Sequence, residues 1–581
     1  MRKKSRYIPE VDGLRGLAVI AVLLYHLGVS WIPGGFLGVD LFFVISGYVI
    51  TRLILDSIES NNGLDLRGFY IARFRRLYPA LLLVIVSSAL IIALAAPDAI
   101  RRFLSDIPYV LLGVNNWRLV LTHQDYFQAI GRPPLLQHTW SLAVEAQFYA
   151  IWPLILYIIW KRFGKKRIIP ISILIAFISG VALFLLSVKI DTASSLRTSH
   201  IYFGTDTHSL GLFLGSALAV SWVPQNFRSK ISQRAQDFVD GIGVFGFLGL
   251  LSTFLFISEK DPTLYRLAFP IAAIAGCATI ASVVHPASRF SPLMRSRILL
   301  WIGERSYGMY LWHWVIFEVM RPGIDITGSL LAINIARTLI VFALADLSLR
   351  YIERPVRRGE LARWIRGIKY QRQTIRIRQK SMIVAISLFI TTVMISSSAV
   401  AVHRDDQARH RQQMEMTLID SPSQVFPKGI WLTGDSVILG IRSKLSDHQS
   451  IALTNARVGR QIDELINVVR KDKPFVPNST VVLDLGNNNR LTEGSIRELF
   501  DLLAAQPRII LVNTAVPRVW KVENDQLISQ VAKDYPQVTV IDWNHISEGH
   551  PEYFVPDGVH LTDVGSEVYV SAILTTLGSQ K

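Results

Sequence analysis

The stretch Ile430-Trp431-Leu432-Thr433-Gly434-Asp435-Ser436 decides the fold of the C-terminal part of the chain. Its first four residues are apolar or β-branched and predict a strand, which the Gly-Asp-Ser turn ends. Similar short runs alternate with helical patterns in the rest of this region, and that rhythm predicts a parallel sheet covered by helices. The other predicted strands are Ser450–Leu453, Thr480–Leu485, Arg508–Val512 and Val538–Ile541.

Reactive side chains lie at the carboxyl ends of strands in such sheets, and Ser436 falls just past the first one. A serine nucleophile needs a base and an acid that orients the base, and Asp557 and His560, in one predicted loop, can supply both. The oxyanion would need donors, for which the candidates are the backbone N–H of Ser436, the backbone N–H of Gly459 and the amide of Asn488. A Gly-Asp-Ser turn alone is weak evidence, but these elements in this order predict a serine-based acyl site.

Half of the 581 residues are hydrophobic, which excludes a single soluble globule. The apolar residues are concentrated in eleven runs, each long enough to cross about 30 Å of hydrocarbon as a helix. We predict spans at 13–31, 35–55, 78–96, 136–160, 168–188, 206–223, 238–257, 266–285, 299–320, 329–352 and 382–402.

The charge distribution argues against nucleic acid as a partner. Although the net charge is +17, residues 421–581 contain 15 Lys+Arg and 18 Asp+Glu, so the excess lies in the membrane part. Lys and Arg collect on one side of the predicted spans, most densely from Arg354 to Lys380, which predicts a cytoplasmic N-terminus. Eleven spans then place the C-terminal region outside the cytoplasm. The basic N-terminus precedes an apolar run without a cleavage site, which predicts an uncleaved anchor.

Cysteine usage gives little information. Cys277 is the only cysteine, so no disulfide can form within the chain, and its apolar surroundings favour a packing role over a catalytic one.

The first predicted span contains Arg15 and His26, which are eleven residues apart and therefore share one helix face. Asp12 lies near the same face. Ionisable residues at membrane depth are functional by default, although a satisfied core histidine with a snorkelling arginine is the alternative. This face is therefore a candidate catalytic surface.

Further ionisable residues lie in later spans. Since a carboxylate in hydrocarbon costs several kcal/mol unless it is paired, we expect such groups to face one another or a wet cavity. We expect pairs of Arg15 or Arg52 with Asp40 or Glu145, and a structural clamp between helices is the alternative for each group alone. The other ionisable residues in question are Asp40, Glu145, His313 and Asp346.

Arg73, Arg75 and Arg76 follow the second span on the predicted cytoplasmic side. Arginine forks recognise phosphate, and a coenzyme-A thioester carries several phosphates. These arginines are therefore candidates for donor binding, although basic cytoplasmic loops are common.

The membrane part resembles the acyltransferase-3 family of membrane acyltransferases over residues 8 to about 358. The resemblance implies acyl transfer from a cytoplasmic acyl-CoA, usually acetyl-CoA, to envelope glycans. It also implies an essential Arg15/His26 pair and a role for the arginines after the second span in donor handling. One departure is His208, the last residue of Thr205-Asp206-Thr207-His208, where related chains often have arginine. The matching segments are 12–15, 36–47, 73–76, 140–145 and 307–313.

The C-terminal part resembles the SGNH hydrolase superfamily, whose four name residues would be Ser436, Gly459, Asn488 and His560. Longer segments are similar to the extracytoplasmic domain of peptidoglycan O-acetyltransferases. The third block departs from the common pattern at Asn489, which bears on the acceptor preference. The longer matching segments are 512–514, 516–518 and 550–561.

Together these features predict a polytopic α-helical membrane protein with an extracytoplasmic α/β SGNH domain of flavodoxin-like, three-layer architecture. We expect a ten-span domain at 1–358, a basic linker, eleventh span and polar stem at 359–425, and the outer domain at 426–581.

The expected activity is O-acetyl transfer in a bacterial plasma membrane, from acetyl-CoA and without a metal, to a cell-envelope glycan. Peptidoglycan is the expected acceptor, and lipopolysaccharide O-antigen or another surface polysaccharide is an alternative. The remaining alternatives are an SGNH esterase attached to a separate membrane module and a transporter whose serine only binds a ligand.

Overall fold

The structure, a computed structural model, describes residues 7–61, 63–122, 132–188, 195–259, 264–322, 325–420, 429–457, 459–516, 520–555 and 558–578. The chain divides into two compact units, Met1–Arg404 and Asp405–Lys581. Each unit has its own hydrophobic core.

The described part of the first unit is built mainly from α-helices. Its first nine helices are α1 (Pro9–His26), α2 (Gly38–Asn61), α3 (Leu66–Ala95), α4 (Ile100–Leu111), α5 (Asn115–Leu121), α6 (Trp140–Phe163), α7 (Ile168–Ser187), α8 (Ser195–Phe203) and α9 (Thr205–His208). They are followed by α10 (Leu210–Ser221), α11 (Gln233–Phe256), α12 (Phe269–Val283), α13 (Ser291–Met294), α14 (Arg297–Val319), α15 (Leu330–Ser348), α16 (Arg354–Arg357), α17 (Glu360–Gly367) and α18 (Gln373–Asp420).

Eight helical segments of the described residues are long and apolar enough to cross a membrane. The other three predicted spans fall on α1, α10 and α14. Helix α10 has only 12 residues, and α1 and α14 carry charged residues within their length. The eight segments are Gly35–Ser60, Leu66–Ala95, Gln137–Phe163, Lys165–Ser187, Gln233–Phe256, Leu264–Val283, Leu330–Arg357 and Gln373–Gln407.

Glycines allow α1 to approach α14 very closely. A Cβ atom built at Gly303 of α14 would lie 1.7 Å from the carbonyl oxygen of Asp12, and one at Gly16 would lie 2.6 Å from that of Leu299. Small residues at crossing helices let backbones pack directly against each other. This contact fixes the helix that carries Arg15 and His26 against the helix that carries His313.

Much of the predicted linker, eleventh span and stem is helical. Helix α18 starts at Gln373, within the predicted linker, and continues to Asp420, so the predicted span 382–402 lies inside one uninterrupted helix. The part of the stem up to Asp420 is therefore helical.

The second unit contains a five-stranded parallel sheet in the order β2-β1-β3-β4-β5. This is the flavodoxin-like order, so the predicted parallel α/β fold is confirmed. The strands are β1 (Ile430–Gly434), β2 (Ile451–Ala456), β3 (Thr480–Asp484), β4 (Arg508–Val512) and β5 (Val538–Ile541). The helices are α19 (Ser436–Ser446), α20 (Ile462–Asp472), α21 (Glu493–Leu502), α22 (Lys521–Ala532), α23 (Trp543–Ile546) and α24 (Asp563–Gly578).

Helices cover both faces of this sheet, because alternate strand residues point to opposite sides. Val481 packs in the core shared with α20, α21 and α22, whereas Val482 packs in the core shared with α19 and α24. The predicted three-layer arrangement is therefore present. β1 lies between β2 and β3, with the register Leu432↔Thr454 and Leu432↔Val482. The turn that follows β1 is therefore at an interior strand of the sheet and not at an edge strand.

Candidate functional site

Ser436 is the first residue of α19 and follows β1 directly. Asp435 caps this helix, because its Oδ1 accepts the N–H of Val437 at 2.9 Å. The side chain of Ser436 is largely buried, with 8% of the residue exposed. The strand end and the cap therefore hold the serine at the carboxyl edge of the sheet and at a helix N-terminus, where negative charge is favoured.

Asn488 connects three loops at this edge. Its Nδ2 donates to Oδ2 of Asp435 at 2.6 Å and to the carbonyl oxygen of Arg460 at 3.3 Å. Arg460 follows Gly459, whose φ of +74° favours glycine. The structure therefore brings Asn488 and the Gly459 loop to the turn that carries Ser436, as the sequence predicts. Both amide hydrogens of Asn488 are engaged in these contacts.

His560 lies in a hairpin-like loop that leads into α24. The N–H of Val555 donates to the carbonyl oxygen of His560 at 2.9 Å, and Phe554 pairs with Leu561 in an antiparallel bridge. Helix α24 packs on the same face of the sheet as α19. Asp557 lies outside the described residues, so the Ser436–His560–Asp557 triad remains a prediction.

Two residues missed in the sequence support these loops from behind. Asn524 of α22 donates to the carbonyl oxygens of Gly486 and Asn489, both at 2.9 Å, and accepts the N–H of Leu491. Asp484, the last residue of β3, accepts the N–H of Asp435 at 2.9 Å. An acid within the apolar run of a predicted strand was the signal available for Asp484, whereas the burial of Asn524 is seen only in the fold.

Burial changes the ionisation of two acids in the C-terminal unit. Burial and the adjacent Asp435 raise the pKa of Asp484 well above its usual range. Burial raises the pKa of Asp525, whose Oδ1 accepts the N–H of Thr514, to about 6. Both carboxyl groups therefore favour the protonated form more than an exposed aspartate does.

The first unit contains a cavity of about 560 Å³ lined with arginines and carboxylates. The predicted residues Asp12, Arg15, Arg73, Arg76 and Glu145 all line it, whereas Arg75 is not among its lining residues in the described part of the chain. Further lining residues that were not predicted from the sequence are Tyr149, Tyr307 and Arg357. Arg52 also lines the cavity, although the sequence suggested it as the partner of a carboxylate.

The expected ion pairs across helices are not the ones the structure contains. Arg15 pairs with Asp12 at 3.2 Å and Arg52 pairs with Asp56 at 2.5 Å, each along its own helix. Glu145 instead accepts hydroxyl groups of Ser46 and Tyr149, at 2.5 and 2.8 Å. The predicted pairing of Arg15 or Arg52 with Asp40 or Glu145 is therefore wrong, because nearer partners satisfy both arginines.

The remaining two acidic residues, Asp40 and Asp346, each contact a nitrogen-containing side chain of another helix. Nε2 of His208 lies 3.6 Å from Oδ1 of Asp40, and Trp140 and Phe269 pack around the imidazole with ring centroids at 5.1 and 4.6 Å. His208, the residue that departs from the family pattern, thus lies beside Asp40. Asp346 pairs with Arg305 and Arg350, as the structural clamp interpretation expects.

His26 and His313 pack against each other, with ring centroids 5.1 Å apart. Nδ1 of His26 lies 2.8 Å from the carbonyl oxygen of Val22, and Nδ1 of His313 lies 2.6 Å from that of Tyr310. A carbonyl oxygen can only accept, so in the neutral form each Nδ1 donates and each Nε2 keeps its lone pair. Both imidazoles therefore present a basic nitrogen.

A third histidine, His138, completes this group and was missed in the sequence. Its ring centroid is 5.8 Å from that of His313, and the residue is 1% exposed. Tyr310, which lines the arginine cavity, donates its hydroxyl to the carbonyl oxygen of His138 at 2.8 Å. The three histidines thus lie behind Tyr310, beside the cavity rather than among its lining residues.

Comparison with known proteins adds two lines of evidence. A family model described as an acyltransferase domain matches residues 8–347. The chain is 34% identical to the peptidoglycan O-acetyltransferase OatA of Listeria monocytogenes, with 99% of each chain covered. It is 32% identical to the O-acetyltransferase OatA of Staphylococcus aureus, with 98% of this chain and 96% of the relative covered.

Among solved structures, the C-terminal catalytic domain of Streptococcus pneumoniae peptidoglycan O-acetyltransferase A matches with 24% identity and a TM-score of 0.24. That match covers 26% of this chain and 92% of the solved domain. The family model covers more than half of the chain, and the two relatives match over nearly their whole length. The chain therefore belongs to the acyltransferase-3 family and is an acyltransferase.

Proposed function

We propose that the protein takes an acetyl group from acetyl-CoA on the cytoplasmic side of a bacterial plasma membrane and transfers it to hydroxyl groups of peptidoglycan outside. The observation that carries this proposal is the near full-length match to a relative named for peptidoglycan O-acetylation. One chain thus contains both an arginine-lined cavity among membrane helices and a serine at the edge of an α/β sheet.

Acetyl-CoA would bind at the arginine cavity. Its phosphates are anionic, and Arg73, Arg76 and Arg15 supply guanidinium groups that can bind phosphate in a bidentate manner. Nε2 of His26 would then act as a general base by accepting the proton of the nucleophile that attacks the thioester carbonyl. Coenzyme A would leave as its thiol after taking up that proton. His313 supports His26 through their packed rings.

At the outer unit, the hydroxyl of Ser436 would attack the carbonyl of the acetyl donor while His560 accepts its proton and Asp557 orients the imidazole. The bond to the donor's leaving group would then break, and His560 would pass the proton to that group. The N–H groups of Ser436 and Gly459 would stabilise the oxyanion. The amide of Asn488 could join them by exchanging its longer bond, 3.3 Å to the carbonyl oxygen of Arg460, for one to the oxyanion. His560 would then deprotonate the sugar hydroxyl that attacks the acetyl-serine.

The topology that belongs to this proposal has eleven spans and a cytoplasmic N-terminus. In it α1, α10 and α14 would cross the membrane together with the eight longer helical segments. The boundaries of this arrangement are a membrane domain at 1–358, a connecting region at 359–425 and an outer domain at 426–581. Coenzyme A cannot cross the membrane by itself, so only this orientation separates the donor from the acceptor.

The test follows radiolabel from acetyl-CoA supplied on the cytoplasmic side of membranes that contain the full chain. Label should appear in the peptidoglycan fraction, and both Ser436→Ala and His26→Ala should abolish it. With a small activated ester supplied from outside, Ser436→Ala should lose cleavage while His26→Ala keeps it. Peptidoglycan labelling that persists in His26→Ala would overturn the donor path and favour an esterase beside an unrelated membrane module.

A further inference from the structure

The side chain of Tyr310 separates the arginine cavity from the histidines. Its hydroxyl donates to the carbonyl oxygen of His138 at 2.8 Å and accepts the hydroxyl of Ser141 at 2.8 Å. Its ring contacts the imidazoles of His138 and His313, with ring centroids at 5.6 and 5.3 Å. Tyr310 and Ser141 line the cavity, whereas no histidine is among its lining residues in the described part of the chain. The phenol ring therefore covers both imidazoles on the cavity side.

The covered imidazoles have unused hydrogen-bonding groups. His138 is 1% exposed and His313 has no exposed surface. Within the described residues, neither ring nitrogen of His138 has a hydrogen-bond partner, and the same is true of Nε2 of His313. An imidazole always has at least one N–H group. A buried donor without a partner lowers stability and is rare in folded proteins, so the N–H of His138 is suited to a polar ligand.

Space for such a ligand would come from Tyr310 itself. A phenol ring is larger than an acetyl group, and the cavity of about 560 Å³ can receive the ring. If the ring turned into the cavity, it would leave room for an acetyl group beside both imidazoles. Two hydrogen bonds of one hydroxyl oppose this movement, and each contributes only modestly to stability.

We propose that Tyr310 closes a small polar pocket beside His138 and His313, and that this pocket takes the acetyl group of the donor thioester. When the ring of Tyr310 turns into the cavity, the N–H of His138 donates to the acetyl oxygen and polarises the carbonyl carbon. Tyr310 acts by covering and uncovering the pocket. This assignment rests on the proposed use of acetyl-CoA, to which it adds the residue that binds the acetyl oxygen.

Chemical modification of histidine tests the cover without relying on activity. Diethyl pyrocarbonate, a small reagent that acylates imidazole nitrogens, is added to the purified full chain in detergent. Peptide mass spectrometry then gives the modification rate of each histidine. In Tyr310→Phe, which keeps the ring but loses both hydrogen bonds, His138 and His313 should react about tenfold faster than in the unsubstituted chain. Ser141→Ala removes one of the two bonds and leaves Tyr310 whole, so the increase should be about threefold.

Two controls separate this effect from a general loosening of the helices. Tyr307→Phe also removes a hydroxyl from the cavity wall, one that donates to a backbone carbonyl oxygen at 2.9 Å. It should leave the rates at His138 and His313 unchanged. His208, which is buried elsewhere in the same unit, should react slowly in every variant. Rates at His138 and His313 that do not rise in Tyr310→Phe would overturn the proposal, as would an equal rise at His208.

A donor analogue that cannot transfer its acyl group tests the ligand. In the ketone analogue of acetyl-CoA, a methylene group replaces the thioester sulfur. At about ten times its measured Kd, it should slow the modification of His138 in Tyr310→Phe by about tenfold. Desulfo-CoA, which lacks the acetyl group, should give no such protection.

The outcomes of this binding experiment separate the pocket from the proposed function. If the analogue does not bind, the proposed donor is overturned and the pocket with it. If the analogue binds without protecting His138, or if desulfo-CoA protects it equally, the pocket alone is overturned. Protection by the analogue alone would identify the space behind Tyr310 as the acetyl site.

Discussion

A Cβ atom built at Gly434 would lie 2.0 Å from Oδ1 of Asp484. The φ of Gly434 is +154°, which a residue with a side chain rarely adopts. We expect Gly434→Ala to separate β1 from Asp484 and to lower the free energy of unfolding by at least about 2 kcal/mol. Ester cleavage by Ser436 should be lost together with that stability.

The matched control is Gly440→Ala in the exposed face of α19, where an added Cβ meets no atom within 4 Å. Alanine favours the helix, so this variant should gain up to about 1 kcal/mol. Denaturant unfolding of both full-length variants measures the difference. Equal stability of the two variants would contradict the close contact between Gly434 and Asp484.

The arginine cavity predicts that neighbouring arginines differ in their effect on donor binding. Arg73→Ala and Arg76→Ala each remove a guanidinium group that lines the cavity, so each should raise KM for acetyl-CoA by about tenfold. Arg75→Ala, whose side chain is not among the lining residues, should change KM little. Initial rates of acetyl transfer from labelled acetyl-CoA give the comparison, and a large effect of Arg75→Ala would contradict the binding site.

The hydrogen bond between Nδ1 of His26 and the carbonyl oxygen of Val22 allows its two nitrogens to be tested separately. In His26→Asn, the amide nitrogen occupies the position of Nδ1 and can keep this bond, while the basic Nε2 is lost. The variant should fold normally, but CoA-dependent transfer should fall by about 100-fold or more, as for loss of a general base. Ester cleavage outside should be unchanged. Near-normal transfer in this variant would exclude His26 as the base.

Asp525 predicts a pH dependence of stability in the C-terminal unit. Its folded pKa of about 6 lies above the ordinary value of 3.8, so the folded state binds more protons than the unfolded state between these values. The free energy of unfolding should therefore fall as pH rises from about 4 to about 6 and then level off. In Asp525→Asn this contribution should disappear. Hydrogen exchange of β4 amides across that range measures it, and an unchanged slope in the variant would assign the effect elsewhere.

The parallel sheet could be predicted because its strands are buried on both faces. Val481, Val482 and Leu483 form an uninterrupted apolar run, which is typical of such strands. The position of Ser436 after β1 followed from the same pattern. Asp484 was overlooked because it reads as the end of the strand, and only the fold shows that it meets Asp435 of another loop.

The membrane site was harder to predict, because its pairs join residues far apart in the chain. Asp40 and His208 lie on α2 and α9, and helical periodicity within one span does not show which other span it faces. Periodicity placed Arg15 and His26 on one face of α1. It could not show that Arg15 reaches the cavity while His26 packs with His138 and His313.

The contact of Gly16 and Gly303 between α1 and α14 has a genetic consequence. Any single-base change in a glycine codon that specifies another amino acid introduces a larger side chain, and there is no space for even a methyl group at Gly303. At Gly303 every substitution adds volume, because glycine has no side chain. At a position that holds a larger residue, by contrast, a substitution can also reduce the volume. We therefore expect the glycines of this helix crossing to stay unchanged while the residues around it vary.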